Sequence, residues 1–203
     1  MTAHALILSW LISALTGWTI TPKADEDRAV MEKARGEVAS EVFEVAYDEK
    51  EPPLYKGPDG RAKTAALLEV IATLETRIAA HIRADQCKSY ECDSDGKGGH
   101  AAVGIMQIHP GTDGILLTPL GYRRCGPRDA SCLHRSDLAR NEGIAIRLAL
   151  HMIRQNGLAS YCGESPEGPV TELRRETTKQ WLTKNPPPVL DEKVLAESET
   201  ATR

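Results

Sequence analysis

The run from Thr64 to Arg83, TAALLEVIATLETRIAAHIR, constrains the fold of this chain more than any other stretch. Leu67, Ile71, Leu74, Ile78 and Ile82 recur at helical spacing, which predicts one helix with a single buried stripe, and the residues between them supply helix propensity. An acid stands in that stripe. At roughly 100° per residue Glu75 lies almost over Leu68, with Ile71 and Ile78 as neighbours on either side, whereas Glu69 points elsewhere. A carboxyl set against an aliphatic face is desolvated, which raises its pKa toward the range where it donates a proton near neutrality. The same pattern also describes an ordinary glutamate at the edge of an amphipathic helix.

Composition narrows the fold class. With 41 % hydrophobic residues and a single Phe, the core has to be built from Leu, Ile, Val, Ala and Met, which suits packed helices better than a sandwich of strands. The 203 residues fit one domain with additions, mainly α, with a small loop or hairpin region. A net charge of -4 and a pI near 5.9 give no global basic field, which argues against a nucleic-acid partner. No cofactor is expected, and oligomeric state is not legible.

Residues 1–20 contain AHALILSWLISALTGW, short for a relaxed membrane span but long enough for a signal-peptide core. Export to a periplasmic or extracellular compartment is the expectation, with a buried N-terminal helix or a retained membrane anchor as alternatives; any membrane contact would run through this segment. Residues 21–60 read as a charged helical region and loop, with an amphipathic helix over Lys23–Glu49 that carries Val30, Met31, Ala34, Val38, Val42 and Val45 at helical intervals. A rigid loop from Glu51 to Gly60 follows. Beyond Arg83 the chain is rich in Gly and Asp, predicting a loop or short hairpin. Asp93-Ser94-Asp95-Gly96-Lys97 departs from the spacing of a calcium loop, and His81, His100 and His109 lack zinc-site spacing, so no metal is expected. A helix is predicted from Arg135 to Gln155, capped by Ser136 or Asp137, ended by Asn156-Gly157 and striped by Ile144, Leu148 and Met152 or Ile153. A last helix runs through Leu182 and carries Trp181. Pro186-Pro187-Pro188 closes it, leaving a flexible tail over 185–203.

The five cysteines are Cys87, Cys92, Cys125, Cys132 and Cys162. In an exported chain they are expected to pair, and the sequence-local choices are Cys87 with Cys92 and Cys125 with Cys132. Pairing of Cys162 with Cys125 or Cys132 is the alternative.

Three segments carry a family resemblance. Leu74-Glu75-Thr76-Arg77-Ile78 resembles the E-S-x-[FI] stretch ending the catalytic helix of lytic transglycosylases and goose-type lysozymes. Gly104-Ile105-Met106-Gln107-Ile108 is similar to their G-L-M-Q-[IV] segment. Leu158-Ala159-Ser160-Tyr161 resembles the start of the transglycosylase A-Y-N-A-G segment, from which Cys162-Gly163 then departs. The resemblance spans Thr64 to Gly163 and implies a lysozyme-like helical domain over residues 61–184 acting on peptidoglycan glycan strands. It implies Glu75 as the catalytic acid, with Thr76 (where the family has Ser), Met106, Gln107 and Tyr161 binding substrate.

Most glycosidases need two carboxylates. Here Glu69 faces away, and Asp85, Glu91, Asp93 and Asp95 lie in a polar loop where solvation is the expectation. A lone acid fits a lytic transglycosylase, which breaks the MurNAc-GlcNAc β-1,4 bond and leaves 1,6-anhydro-MurNAc ends. A hydrolytic goose-type lysozyme or phage lysin is one alternative, and a non-catalytic wall-binding or phage structural protein on the same scaffold is the other. Both a bacterial wall-remodelling role and a phage virion or lysis role fit the sequence.

Overall fold

In the computed structural model, which describes residues 2–18, 27–87, 101–119, 121–126 and 129–189, the apolar periodicities become helices packed around one core. The Asp93–Lys97 fragment, Glu91, Cys92 with its expected pairing to Cys87, and His100 lie outside the described residues. The helices are α1 (Ala3–Gly17), α2 (Arg28–Ala46), α3 (Gly60–Thr76), α4 (Ala80–Arg83), α5 (Arg135–Arg140), α6 (Glu142–Tyr161) and α7 (Pro169–Lys184). Between α4 and α5, β1 (Ile115–Thr118) and β2 (Gly121–Arg124) pair antiparallel, with Ile115 opposite Arg124 and Thr118 opposite Gly121. The fold is mainly α with a small hairpin, which falls later in the chain than the loop region after Arg83.

Helix α3 is central, packing against α2 and α7. It begins at Gly60, where a Cβ would stand 2.2 Å from the Tyr55 carbonyl oxygen, so the close approach of the preceding loop requires glycine. It ends earlier than its periodicity predicts. Arg77 and Ile78 both adopt left-handed backbone, φ 52° and 57°, and the Thr76 hydroxyl accepts a hydrogen bond from Ile78 N at 3.0 Å. The predicted helix through Arg83 is therefore two helices, broken just after Glu75. Leu67, Ile71, Ile78 and Ile82 are buried as expected, whereas Leu74 is 36 % exposed.

The apolar N-terminal run forms α1, whose Ile7, Leu11, Ala14 and Leu15 are buried in the common core. Trp10 meets Trp181 of α7 edge-on at 5.1 Å and donates its indole N–H to the Asn185 carbonyl. Among the described residues no helix is long and apolar enough to cross a membrane. In α2, Met31, Ala34, Val38, Val42 and Val45 are buried, but Val30 faces solvent.

The helix expected over 135–155 divides at Asn141, whose side chain caps α6 by accepting from Ile144 N. His134 rather than Ser136 precedes α5, and its N–H is held by the Asp137 carboxylate at 2.8 Å. Gly157 interrupts α6 with φ 83° and ψ 159°, where Asn156-Gly157 predicts an end; helical turns resume as far as Tyr161. The rigid loop after α2 docks on α6 through Glu51, a buried carboxylate that accepts from Arg147, His151 and Arg154 at 2.8 to 3.0 Å. Burial raises its carboxyl, but the hydrogen bonds from His151 and Arg154 outweigh that effect and hold it below its usual value. Cys125 and Cys132 form a disulfide that closes the loop after β2, and Cys162 is free, which excludes the alternative pairing through Cys162.

Candidate active site

Glu75 lies in the last turn of α3, partly exposed rather than set wholly against aliphatic side chains. One of its oxygens, Oε1, is ion-paired with Nη2 of Arg174, which comes from the second turn of α7 and is itself buried. Nothing in the sequence marks Arg174 as part of the site. No pattern links two residues 99 positions apart, and an arginine on a polar helix reads as solvated.

Tyr161, at the end of α6, is close enough to Glu75 to feel its charge. Burial first, and the Glu75 carboxylate second, push the phenol well above its ordinary value, so it remains a donor. It donates to the Met106 carbonyl. That contact fixes the Gly104–Ile108 segment against α6. The segment is a tight turn closed by reciprocal backbone hydrogen bonds between Val103 and Ile108 at 2.9 and 3.1 Å. Gly104 has φ 67°, which disfavours any side chain, and a Cβ there would also press on the Leu138 carbonyl oxygen at 3.1 Å.

Gln107 sits at the turn's shoulder with φ 46°, partly exposed, and spends its Nε2 on the Gly104 carbonyl at 2.9 Å. Its amide oxygen and its second Nε2 hydrogen are left to meet a ligand. Met106 is fully buried along with Ile105 and Ile108, so its side chain anchors the turn. Thr76 is also fully enclosed: its hydroxyl donates to the Ala72 carbonyl at 2.8 Å and accepts from Ile78 N, which makes it a helix stop instead of a sugar contact.

Cys162, next to Tyr161, is raised by burial, with Arg174 opposing and Glu75 reinforcing the shift, and stays a thiol. The turn from α6 into α7 is braced by Glu164, whose carboxylate accepts from Thr171 N at the start of α7. Thus Glu75, Tyr161, Cys162 and Arg174 come together where α3, α6 and α7 meet. Of the acids considered as a second carboxylate, Asp85 is not a solvated loop residue: both its oxygens are held by Arg135 at 2.6 Å. Glu69 is fully buried elsewhere on α3, with neither oxygen hydrogen-bonded.

Cys125, Asp129 and Cys132 are clustered closely enough for a metal, but the sulfurs are joined to each other and Asp129 is held by Arg123 at 2.6 and 2.7 Å. No protein-family model matches the chain, and neither does any curated protein or solved structure.

Proposed function

We propose that the protein is a peptidoglycan-cleaving enzyme, a lytic transglycosylase in which Glu75 is the acid. The observation that supports this reading best is the convergence of three segments far apart in sequence. The end of α3 with Glu75, the 104–108 turn and the end of α6 with Tyr161 are joined by the Tyr161–Met106 hydrogen bond and by the proximity of Tyr161 to Glu75. In this reading Glu75 protonates the glycosidic oxygen between MurNAc and GlcNAc as the C1–O bond breaks. The substrate's N-acetyl group supports the cation-like carbon, and Glu75 then takes the proton of the sugar's own 6-hydroxyl as the anhydro ring closes. Gln107 would receive a sugar hydroxyl or N-acetyl N–H through its amide oxygen.

One observation favours a second reading, a non-catalytic wall-binding module: Glu75 is already neutralised by Arg174. Purified cell walls distinguish the two. Glu75→Gln should abolish glycan cleavage while its circular dichroism and melting curve stay those of the wild type. Wild-type products should end in 1,6-anhydro-MurNAc by mass spectrometry. Reducing ends alone would transfer the assignment to a goose-type lysozyme or phage lysin, and wall binding without turnover would establish the binding module.

A further inference from the structure

We infer that Arg174 is a positioning residue for Glu75, so that α7 is part of the reaction centre and not only a packing helix; this rests on Glu75 being the acid. The guanidinium is not a mobile surface group. Arg174 is 6 % exposed, its Nη1 donates to the Val170 carbonyl one turn earlier at 3.2 Å, and its Nη2 holds Glu75 Oε1. Its own carbonyl accepts the Thr178 hydroxyl at 2.7 Å. The base of α7 is tied to the end of α6 through Glu164 and Thr171, next to Tyr161 and Cys162. With Nη1 on the Val170 carbonyl, Nη2 on Glu75 and Nε buried without a partner, the guanidinium presents one placed N–H to a single carboxylate oxygen, a placement that a flexible lysine ammonium reproduces poorly.

The consequence lies in which oxygen does the chemistry. With Oε1 held by Arg174, and no hydrogen bond to Oε2 among the described residues, Oε2 is the oxygen that faces the substrate. The transferred proton leaves Oε2 for the glycosidic oxygen, which takes the electron pair of the breaking C1–O bond. The proton of the 6-hydroxyl returns to Oε2 as O6 bonds to C1, so the carboxyl is restored without a water. Without Arg174 the carboxyl rotates among several geometries, few of them productive.

The test compares Arg174→Met and Arg174→Lys with the wild-type chain on purified cell walls. Arg174→Met should lower kcat by about 100-fold with KM close to wild type, the size expected for a displaced catalytic group. Arg174→Lys should recover only part of that loss, and added guanidinium ion should restore part of the activity of Arg174→Met. Wild-type kcat in Arg174→Met, or a rise above it, would overturn the inference, the rise identifying Arg174 as a blocking residue. A loss of kcat accompanied by unfolding in the melting curve, with no guanidinium rescue, would also overturn it in favour of a purely structural pair. A separate readout needs no turnover: the guanidinium nitrogens of Arg174 should show restricted rotation by NMR in the wild type and free rotation in Glu75→Gln. Free rotation in both would remove the pair itself. A wild-type chain that cleaves no wall, yet shows the restricted rotation, would fail the proposed function while leaving the contact intact.

Discussion

Glu69 is the residue whose environment departs furthest from its chemistry. It sits on the central helix α3, fully buried, with both carboxyl oxygens lacking a hydrogen bond, and burial alone drives its pKa well above 4.5. It is therefore a neutral acid in the folded protein and an ordinary carboxylate in the unfolded chain. Because the folded value is the higher one, its contribution is fully present below about pH 4.5 and is lost as pH rises from there through the folded pKa. Glu69→Gln should remove that slope, and Glu69→Leu should also relieve the unsatisfied oxygens, raising stability near neutrality by about 1 to 3 kcal/mol. Urea unfolding across the pH range checks both. A wild-type stability that holds level from pH 4.5 upward while the variants behave identically would contradict the assignment. Helical spacing had indicated only that Glu69 points away from Glu75. A glutamate whose neighbours three and four residues away on the helix are mostly alanines, Ala65, Ala66 and Ala72, gives no sign of whether its side of the helix meets solvent or a second helix.

At the scale of elements, what was legible was whatever repeats locally. The stripes of α2, α3 and α6 and the stop before Pro186 follow from spacing and breakers, and the apolar first helix follows from composition. What was not legible depends on distant partners. The break after Thr76 runs through residues with good helix propensity, and it is held by the Thr76 hydroxyl and by Ile78 turning into the core. The hairpin strands have four residues each, too few to show a period, and are held by Ile115 bonding to Leu133. Glu51 meets its His151 partner 100 positions away, so a loop acid and a helix stripe gave no hint of each other. In the candidate site, Glu75, Gln107 and Tyr161 were found through short motifs, whereas Arg174 has none. The kink in α6 carries a prediction of its own. Gly157 holds φ 83° and ψ 159°, a region only glycine enters readily, and a Cβ there would touch nothing within 4 Å. Gly157→Ala should therefore cost about 1 to 3 kcal/mol through backbone conformation alone. It should also turn Tyr161 away from the Met106 carbonyl, so that wall cleavage falls together with the melting temperature. An unchanged melting temperature would show that the kink is not needed.

At the scale of the whole molecule, the question is whether the apolar N-terminus belongs to the fold or to a leader. Helix α1 buries Ile7, Leu11 and Leu15 at 4 % exposure or less, sets His4 tilted against Phe43 of α2 with ring centroids 4.2 Å apart, and meets α7 through Trp10, Trp181 and Asn185. Removing residues 1–20 would uncover the matching faces of α2 and α7. Each large aliphatic side chain fully buried is worth about 1.5 to 3 kcal/mol, so the three together rival the whole stability of an ordinary domain. The cost also reaches the candidate site, because Trp181 and Arg174 share α7 and a helix that loses its packing at one end cannot hold a guanidinium fixed at the other. A chain beginning at residue 21 should therefore melt well below the full chain, bind a hydrophobic dye, and lose wall cleavage without any change at Glu75. A truncated chain with the full-length melting temperature and activity would instead show that α1 is dispensable, as a cleaved leader would be.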